Sequence, residues 1–244
     1  MTAETLVGTA GWSLRRAHFD LFPRDGSNLE RYATRFNCVE INSSFYRAHM
    51  QATYARWADS VPENFRFAVK IPRTITHDAH LIGVGTELDA VVVQATALGN
   101  KLGCFLVQLP PSLRFEGRTA GRFLKMLRRR YSGAVVFEPR HASWFDHGAE
   151  AILSAHGVGR VAADPAIVAP AAAPAGDPCI AYFRLHGSPQ IYYSTYSDAY
   201  LRSLATRLRV MQSEGTQCWC IFDNTANGAA IPNAVRMQGL IAPV

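Results

Sequence analysis

The sequence predicts one α/β domain over residues 1–244, a (β/α)8 TIM-like barrel with a short or missing sixth helix. Three observations lead there. Eight short runs rich in Val, Ile, Phe, Tyr and Cys recur along the chain, apolar on nearly every position, as strands of a parallel sheet buried on both faces read. Helical patterns separate most of these runs, and β-α alternation implies parallel pairing. Eight strands favour closure into a barrel over an open doubly wound sheet, and no Gly-x-Gly-x-x-Gly follows the first run.

In order, the strands are expected at residues 6–10, 38–41, 65–70, 104–109, 134–138, 159–163, 180–186 and 217–222. The helices are expected at 29–36, capped by Ser27 or Asn28, and from a cap at Thr86 through 97. The rest fall at 118–131, 145–156, 197–213 and 229–240. Between the sixth and seventh strands the prolines of residues 169–178 forbid a regular helix. No repeat and no linker divides the chain.

Composition narrows the class. Hydrophobic residues make up 48% of the chain, ample for a buried core and too many for a disordered protein. No apolar stretch is long enough to cross a bilayer. Residues 1–5 lack the basic-then-apolar layout of a secretory leader, so a soluble cytoplasmic protein is expected. Four of the five cysteines (Cys38, Cys104, Cys218 and Cys220) lie in strand-like runs without a CxxC pair, which suits buried thiols in a reducing compartment. The net charge of +6 is carried by arginine, since Lys70, Lys101 and Lys125 are the only lysines. That balance is compatible with a polyanionic partner, although a run such as Arg128–Arg130 suits a solvated helix face.

In barrels of this kind, polar residues at strand C-termini carry function. Here the first strand runs into Trp12, and the second carries Glu40 before Asn42 and Tyr46. The third ends in Lys70 with His77 beyond it, and the fourth ends in Gln108. The fifth ends in Glu138, followed by Arg140, His141 and Trp144. Asp164 closes the sixth, Arg184 and His186 the seventh, and Asp223 and Asn224 follow the eighth. Residues two apart on a strand share a face, so Tyr182, Arg184 and His186 point one way, as do Glu138 with Arg140 and Glu40 with Asn42. Their apolar neighbours must face the helices, which turns the polar set toward the lumen. Such a set is either a paired charge network or an acid-base and anion-binding site.

At these residues the sequence resembles the domain-of-unknown-function 72 family, also called YecE-like. The resemblance is carried by residues 8–13, 39–47, 67–73 with Thr76-His77, 108–111, 137–141 with Ser143-Trp144, 184–187, and 222–225 through Asn233-Ala234. It implies a TIM barrel and no particular reaction. Ser44 stands where the family often has threonine. Asp223 stands where asparagine is common and adds a carboxylate.

The expected function is an enzyme of hydrolase type acting on an anionic, phosphate-bearing small molecule or a phosphodiester. Lys70, Arg140 and Arg184 would hold the anion, Glu40 or Glu138 would act as acid or base, and His186 would assist. Glu40, Glu138, His186 and Asp223 could hold a divalent metal, although no spacing motif demands one. The remaining strand-end residues, Trp12, Asn42, Tyr46, His77, Gln108, His141, Trp144, Asp164 and Asn224, would contact substrate. Two alternatives stand beside this. One is glycoside chemistry by Glu40 and Glu138, with Trp12 and Trp144 either as sugar platforms or as walls of the mouth. The other is a barrel that binds nucleic acid or a metabolite without catalysis.

Overall fold

The protein's structure, a computed structural model, describes residues 4–242. Met1–Ala3, on which much of the leader expectation rests, and the last two residues of the expected domain lie outside the described residues. Strands and helices alternate: β1 (Leu6–Thr9), α1 (Asn28–Ala33), β2 (Cys38–Ile41), α2 (Gln51–Asp59), β3 (Arg66–Lys70), α3 (Gly85–Ala95), β4 (Leu102–Gln108), α4 (Gly117–Arg128) and β5 (Ala134–Glu138). They continue as α5 (His147–Ala155), β6 (Gly159–Arg160), β7 (Ala162–Asp164), β8 (Ala175–Gly176), β9 (Ile180–Leu185), α6 (Asp198–Ser213), β10 (Gln217–Phe222) and α7 (Ala230–Ile241).

The architecture is mixed α/β with parallel sheets. One sheet runs β2-β3-β4-β5-β6-β8 and the other β1-β10-β9-β7. Every pairing is parallel except that of β8 with β6. Two seams join the sheets. Ala10 bridges Glu40, and the Gly11 N–H donates to the Glu40 carbonyl at 2.8 Å. Beside this seam β1 approaches β2 so closely that a Cβ on Gly8 would overlap the Cys38 carbonyl, a place only glycine fills. At the other seam the sixth strand changes partner: β6 pairs with β5 and β7 with β9, the change falling at Val161.

Several elements differ from expectation. The single sixth strand is two short ones, because its first half belongs to one sheet and its second half to the other. The helix after it is one turn, Ala169–Ala172, followed by β8 folding back on β6, so the proline-rich stretch ends as a strand edge. α2 was not foreseen: its polar sequence buries only Tyr54 and Ala58, four residues apart and therefore on one face. Ser27 caps α1 with Glu30 in a reciprocal capping box, as its spacing suggests. α3 begins at Gly85 without a side-chain cap, so Thr86 lies inside its first turn. α5 begins at His147, where Asp146 accepts the Ala149 N–H at 2.8 Å.

Two apolar layers position the site. Val7, Val39, Val69, Phe105, Val107, Phe137 and Phe183 point to the helices. Leu6, Cys38, Ala68, Leu106, Val136, Ile180, Trp219 and Ile221 pack on the opposite strand face. Along β2, β3, β4 and β5 the next residue on that face toward the C-terminus is polar: Glu40, Lys70, Gln108 and Glu138. Cys38, Cys104, Cys218 and Cys220 are buried free thiols, while Cys179 is exposed. No described helix is long and apolar enough to cross a membrane.

Candidate functional site

The alternation that buries Ile180 also aims Tyr182, Arg184 and His186 at one luminal face, and Asp223 joins them by the same rule from the end of β10. Gly187, at φ +95°, turns the chain away directly after His186. Arg184 is wholly buried. It donates Nε to Glu40 Oε2 at 2.9 Å and Nη2 to Glu40 Oε1 at 2.6 Å, a two-point clasp that fits guanidinium to carboxylate. It also donates Nη1 to Glu138 Oε2 at 2.6 Å and Nη2 to Asp223 Oδ2 at 3.1 Å. The Tyr182 hydroxyl donates to Glu40 Oε2 at 3.0 Å.

His186 stands between two carboxylates, Nδ1 at 3.0 Å from Asp223 Oδ2 and Nε2 at 2.8 Å from Glu138 Oε1. Arg140 Nη2 donates to His186 Nε2 at 2.7 Å and forms an ion pair with that same Glu138 oxygen at 2.7 Å. Although burial alone would raise the Glu138 carboxyl, Arg140, Arg184 and His186 hold it well below the usual carboxylate range. Burial likewise opposes ionisation of Asp223, and Arg184 and His186 overcome it to lower that carboxyl.

Lys70 lies on the same face with different company. It is 5% exposed, and its Nζ sits 4.1 Å from the centroid of the Phe45 ring. Among the described residues it makes no ion pair within 4.0 Å. Burial, reinforced by the Arg184 charge, pushes its ammonium down to about 8. The Ser43–Phe45 turn sets the ring in place, because Ser44 donates its hydroxyl toward both the Ile41 carbonyl (2.7 Å) and the Lys70 carbonyl (2.6 Å). Asn42, level with Lys70 by strand register, has a buried Oδ1 without a partner, and so does Arg140 at Nε. Gln108 is half-buried, two residues beyond Leu106, the register partner of Lys70.

The structure thus brings together Glu40, Glu138, Arg140, Arg184, His186 and Asp223, with Lys70, Asn42 and Gln108 beside them. Other strand-end residues stand differently. Tyr46 is 70% exposed at the rim. His77 is half-buried edge-on to Phe45, and burial, with Lys70 nearby, lowers its imidazole. Trp12 packs edge-on against Trp57 of α2. Five residues expected from sequence to contact substrate have partners within the protein. Arg184 gives four of its five N–H groups to three carboxylates, which leaves it little for an anion. Trp144 is buried against Phe115 and Phe137 with its indole N–H on the Leu113 carbonyl, so it walls the strands rather than stacking a ligand. His141 caps the Ala142–Phe145 turn, accepting the Ser143 N–H at 3.1 Å. Asn224 is buried and donates to Ser194 and Asn233. Asp164 accepts from the Tyr196 hydroxyl at 2.9 Å.

A divalent ion does not fit this donor set, because the Arg184 guanidinium already occupies the point where Glu40, Glu138 and Asp223 converge. Sequence reasoning missed Phe45 as a partner of Lys70. Strand periodicity stops at Ile41, and only the turn after it decides whether Phe45 or Tyr46 faces inward.

The chain matches the family described as "Protein of unknown function DUF72" over residues 6–243. It is 31% identical over 125 residues to UPF0759 protein YecE of Escherichia coli K12, an alignment spanning 51% of this chain and 45% of that protein. The chain therefore covers less than half the length of that relative. It is 24% identical to UPF0759 protein YunF of Bacillus subtilis over 96% of this chain and 94% of that one. Among solved structures, a DUF72 family protein from Enterococcus faecalis superposes with a TM-score of 0.81 at 21% identity, covering 99% of this chain and 96% of that one. One from Thermotoga maritima superposes with a TM-score of 0.79 at 23% identity, covering 98% and 99%. At these identities the solved structures share the fold, and the match over nearly the whole sequence makes this chain a member of the DUF72 family.

Proposed function

We propose that the chain is an enzyme that takes an anionic substrate, bearing a phosphate or a carboxylate, between Lys70 and Arg140 at the C-terminal strand ends. The two sheets act in this reading as one (β/α)8 barrel, supported by the Ala10–Glu40 bridge and the change of partner at Val161. One observation carries the functional part: among the described residues Lys70 is a buried cation without a counter-ion, and Arg140, two strands away at the same end of the sheet, has an Nε without an acceptor. A desolvated cation gains most from an incoming anion, since charge-assisted hydrogen bonds are short and strong there.

The same geometry favours Lys70 over the carboxylates for moving protons. An amine near 8 exchanges its proton at working pH, whereas a carboxylate held far below its usual range is a weak base. Hydrolysis with Glu138 as base loses support accordingly, and the glycoside reading, which needs both carboxylates free of arginine, loses support because Arg184 pairs with both. Calorimetric titration of inorganic phosphate and of acetate tests the proposal. Binding of one of them should weaken at least roughly tenfold in both Lys70→Ala and Arg140→Ala. Equal affinity in wild type and both variants would refute it.

The rim favours a second reading. Tyr46, with the exposed Arg47 next to it in sequence, and Tyr192-Tyr193 are exposed at strand ends, and flat rings with cations suit single-stranded nucleic acid. That reading requires affinity for an oligonucleotide to fall steeply with salt.

A further inference from the structure

We propose that Lys70 is a covalent nucleophile whose amine condenses with the carbonyl carbon of an anionic aldehyde or keto acid, Arg140 receiving the anionic group. This rests on the reading that the mouth takes an anion, and it assigns that anion's reactive part.

Three lysines exist in the chain, and the structure separates them sharply. Lys101 donates its Nζ to the carbonyls of Ala58 (2.7 Å) and Val61 (2.8 Å), and Glu63 lies 3.6 Å away. Lys125 is exposed on α4. Of the three, Lys70 is the one enclosed with no acceptor or counter-ion among the described residues to hold its protons, on the strand face that carries the buried Ala68, Leu106 and Val136. A neutral amine is at ease in such a place, and the neutral amine is the nucleophile. Burial and the Arg184 charge lower its proton affinity in the same direction.

The step balances without any further reagent. The nitrogen lone pair forms an N–C bond while the C=O π electrons move to oxygen, and one amine proton transfers to that oxygen. The carbinolamine hydroxyl then leaves as water with a proton from solvent, giving an iminium that keeps one N–H. Its positive charge arises near Glu40, Glu138 and Asp223, whose charges favour a cation at this position.

Incubation with glyoxylate or with glycolaldehyde phosphate at pH 7, trapping with cyanoborohydride and peptide mapping test this directly. Lys70 should be modified at least roughly tenfold faster than Lys125, its larger neutral fraction setting the ratio. The faster of the two probes identifies a carboxylate or a phosphate as the anionic group. Lys125 serves as a control within the same molecule, so the result does not depend on any variant folding. Lys70→Arg should abolish trapping at that position. Trapping at Lys125 as fast as at Lys70 would overturn the covalent role while leaving the anion site standing. Selective trapping at Lys70 in a protein that binds neither phosphate nor acetate would overturn the anion site instead.

Discussion

Arg184 and Lys70 are both cations with almost no exposed surface, at the same end of the sheets and on the same strand face, yet their surroundings are opposite. Arg184 donates to three carboxylates that reach it from β2, β5 and β10. Lys70 has a phenyl ring beneath its nitrogen and an unpartnered amide oxygen at its register level. A buried charge settles when the sequence supplies its partners, and the cluster around Arg184 is complete. Lys70 is held at a cost to folding, because burial opposes its charge.

Substitutions on either side can break this contrast. The largest effect is expected from Glu138→Ala, which strips an acceptor from Arg184, Arg140 and His186 together. Removing one partner of a buried pair typically costs about 3–5 kcal/mol, so urea unfolding at pH 7 should show a loss of that size. A loss below about 1 kcal/mol would mean the cluster contributes little to stability. Because the Glu138 and Asp223 carboxyls are lowered on folding, their contribution is complete above about pH 4.5. It fades as pH falls below that value toward the folded-state titration.

Lys70→Met should act in the opposite direction. Its ammonium drops from the ordinary 10.5 to about 8, which corresponds to about 3 kcal/mol of penalty at neutral pH. The unfolded chain holds that proton up to 10.5 and the folded chain only to about 8. The penalty is therefore whole below about pH 8 and relieved between there and 10.5. Lys70→Met should be the more stable protein at pH 7, with the gap to wild type closing near pH 10.5. A variant less stable than wild type at pH 7 would erase the distinction between the two cations. The smallest effect belongs to Tyr182→Phe, which removes one hydroxyl donor from Glu40 and leaves the Arg184 clasp intact. About 1 kcal/mol should be lost, read from the same urea curves.

Much of this was legible in the sequence, for identifiable reasons. Strand positions could be read because both faces of β1, β4 and β10 are buried, leaving unbroken apolar runs. Alternation grouped Arg184 with His186 and turned Glu40 and Glu138 the same way because those strands keep a period of two up to their ends. α2 could not be read, since two buried side chains leave too faint a stripe. Nor could the change of partner at Val161, which depends on which sheet each half of the strand meets. Trp144 was misplaced because the Ala142–Phe145 turn rotates it away, and strand logic does not extend past Glu138. Hardest of all was the difference between Arg184 and Lys70. Both are basic residues near strand ends, and only tertiary neighbours separate the neutralised cation from the solitary one.

Glu40 carries one more consequence. Its backbone is the bridge to Ala10 and the acceptor for Gly11, at a seam where β1 and β2 share a single bridge. Its carboxylate is clasped by Arg184 and Tyr182 from the opposite sheet. A strand junction with so few amide contacts would ordinarily breathe first. Here the breathing is restrained by side chains reaching across from the other sheet, so the rate at which the Gly11 amide exchanges with solvent becomes a reporter of that clasp at the mouth. Backbone dynamics and local chemistry meet in one residue.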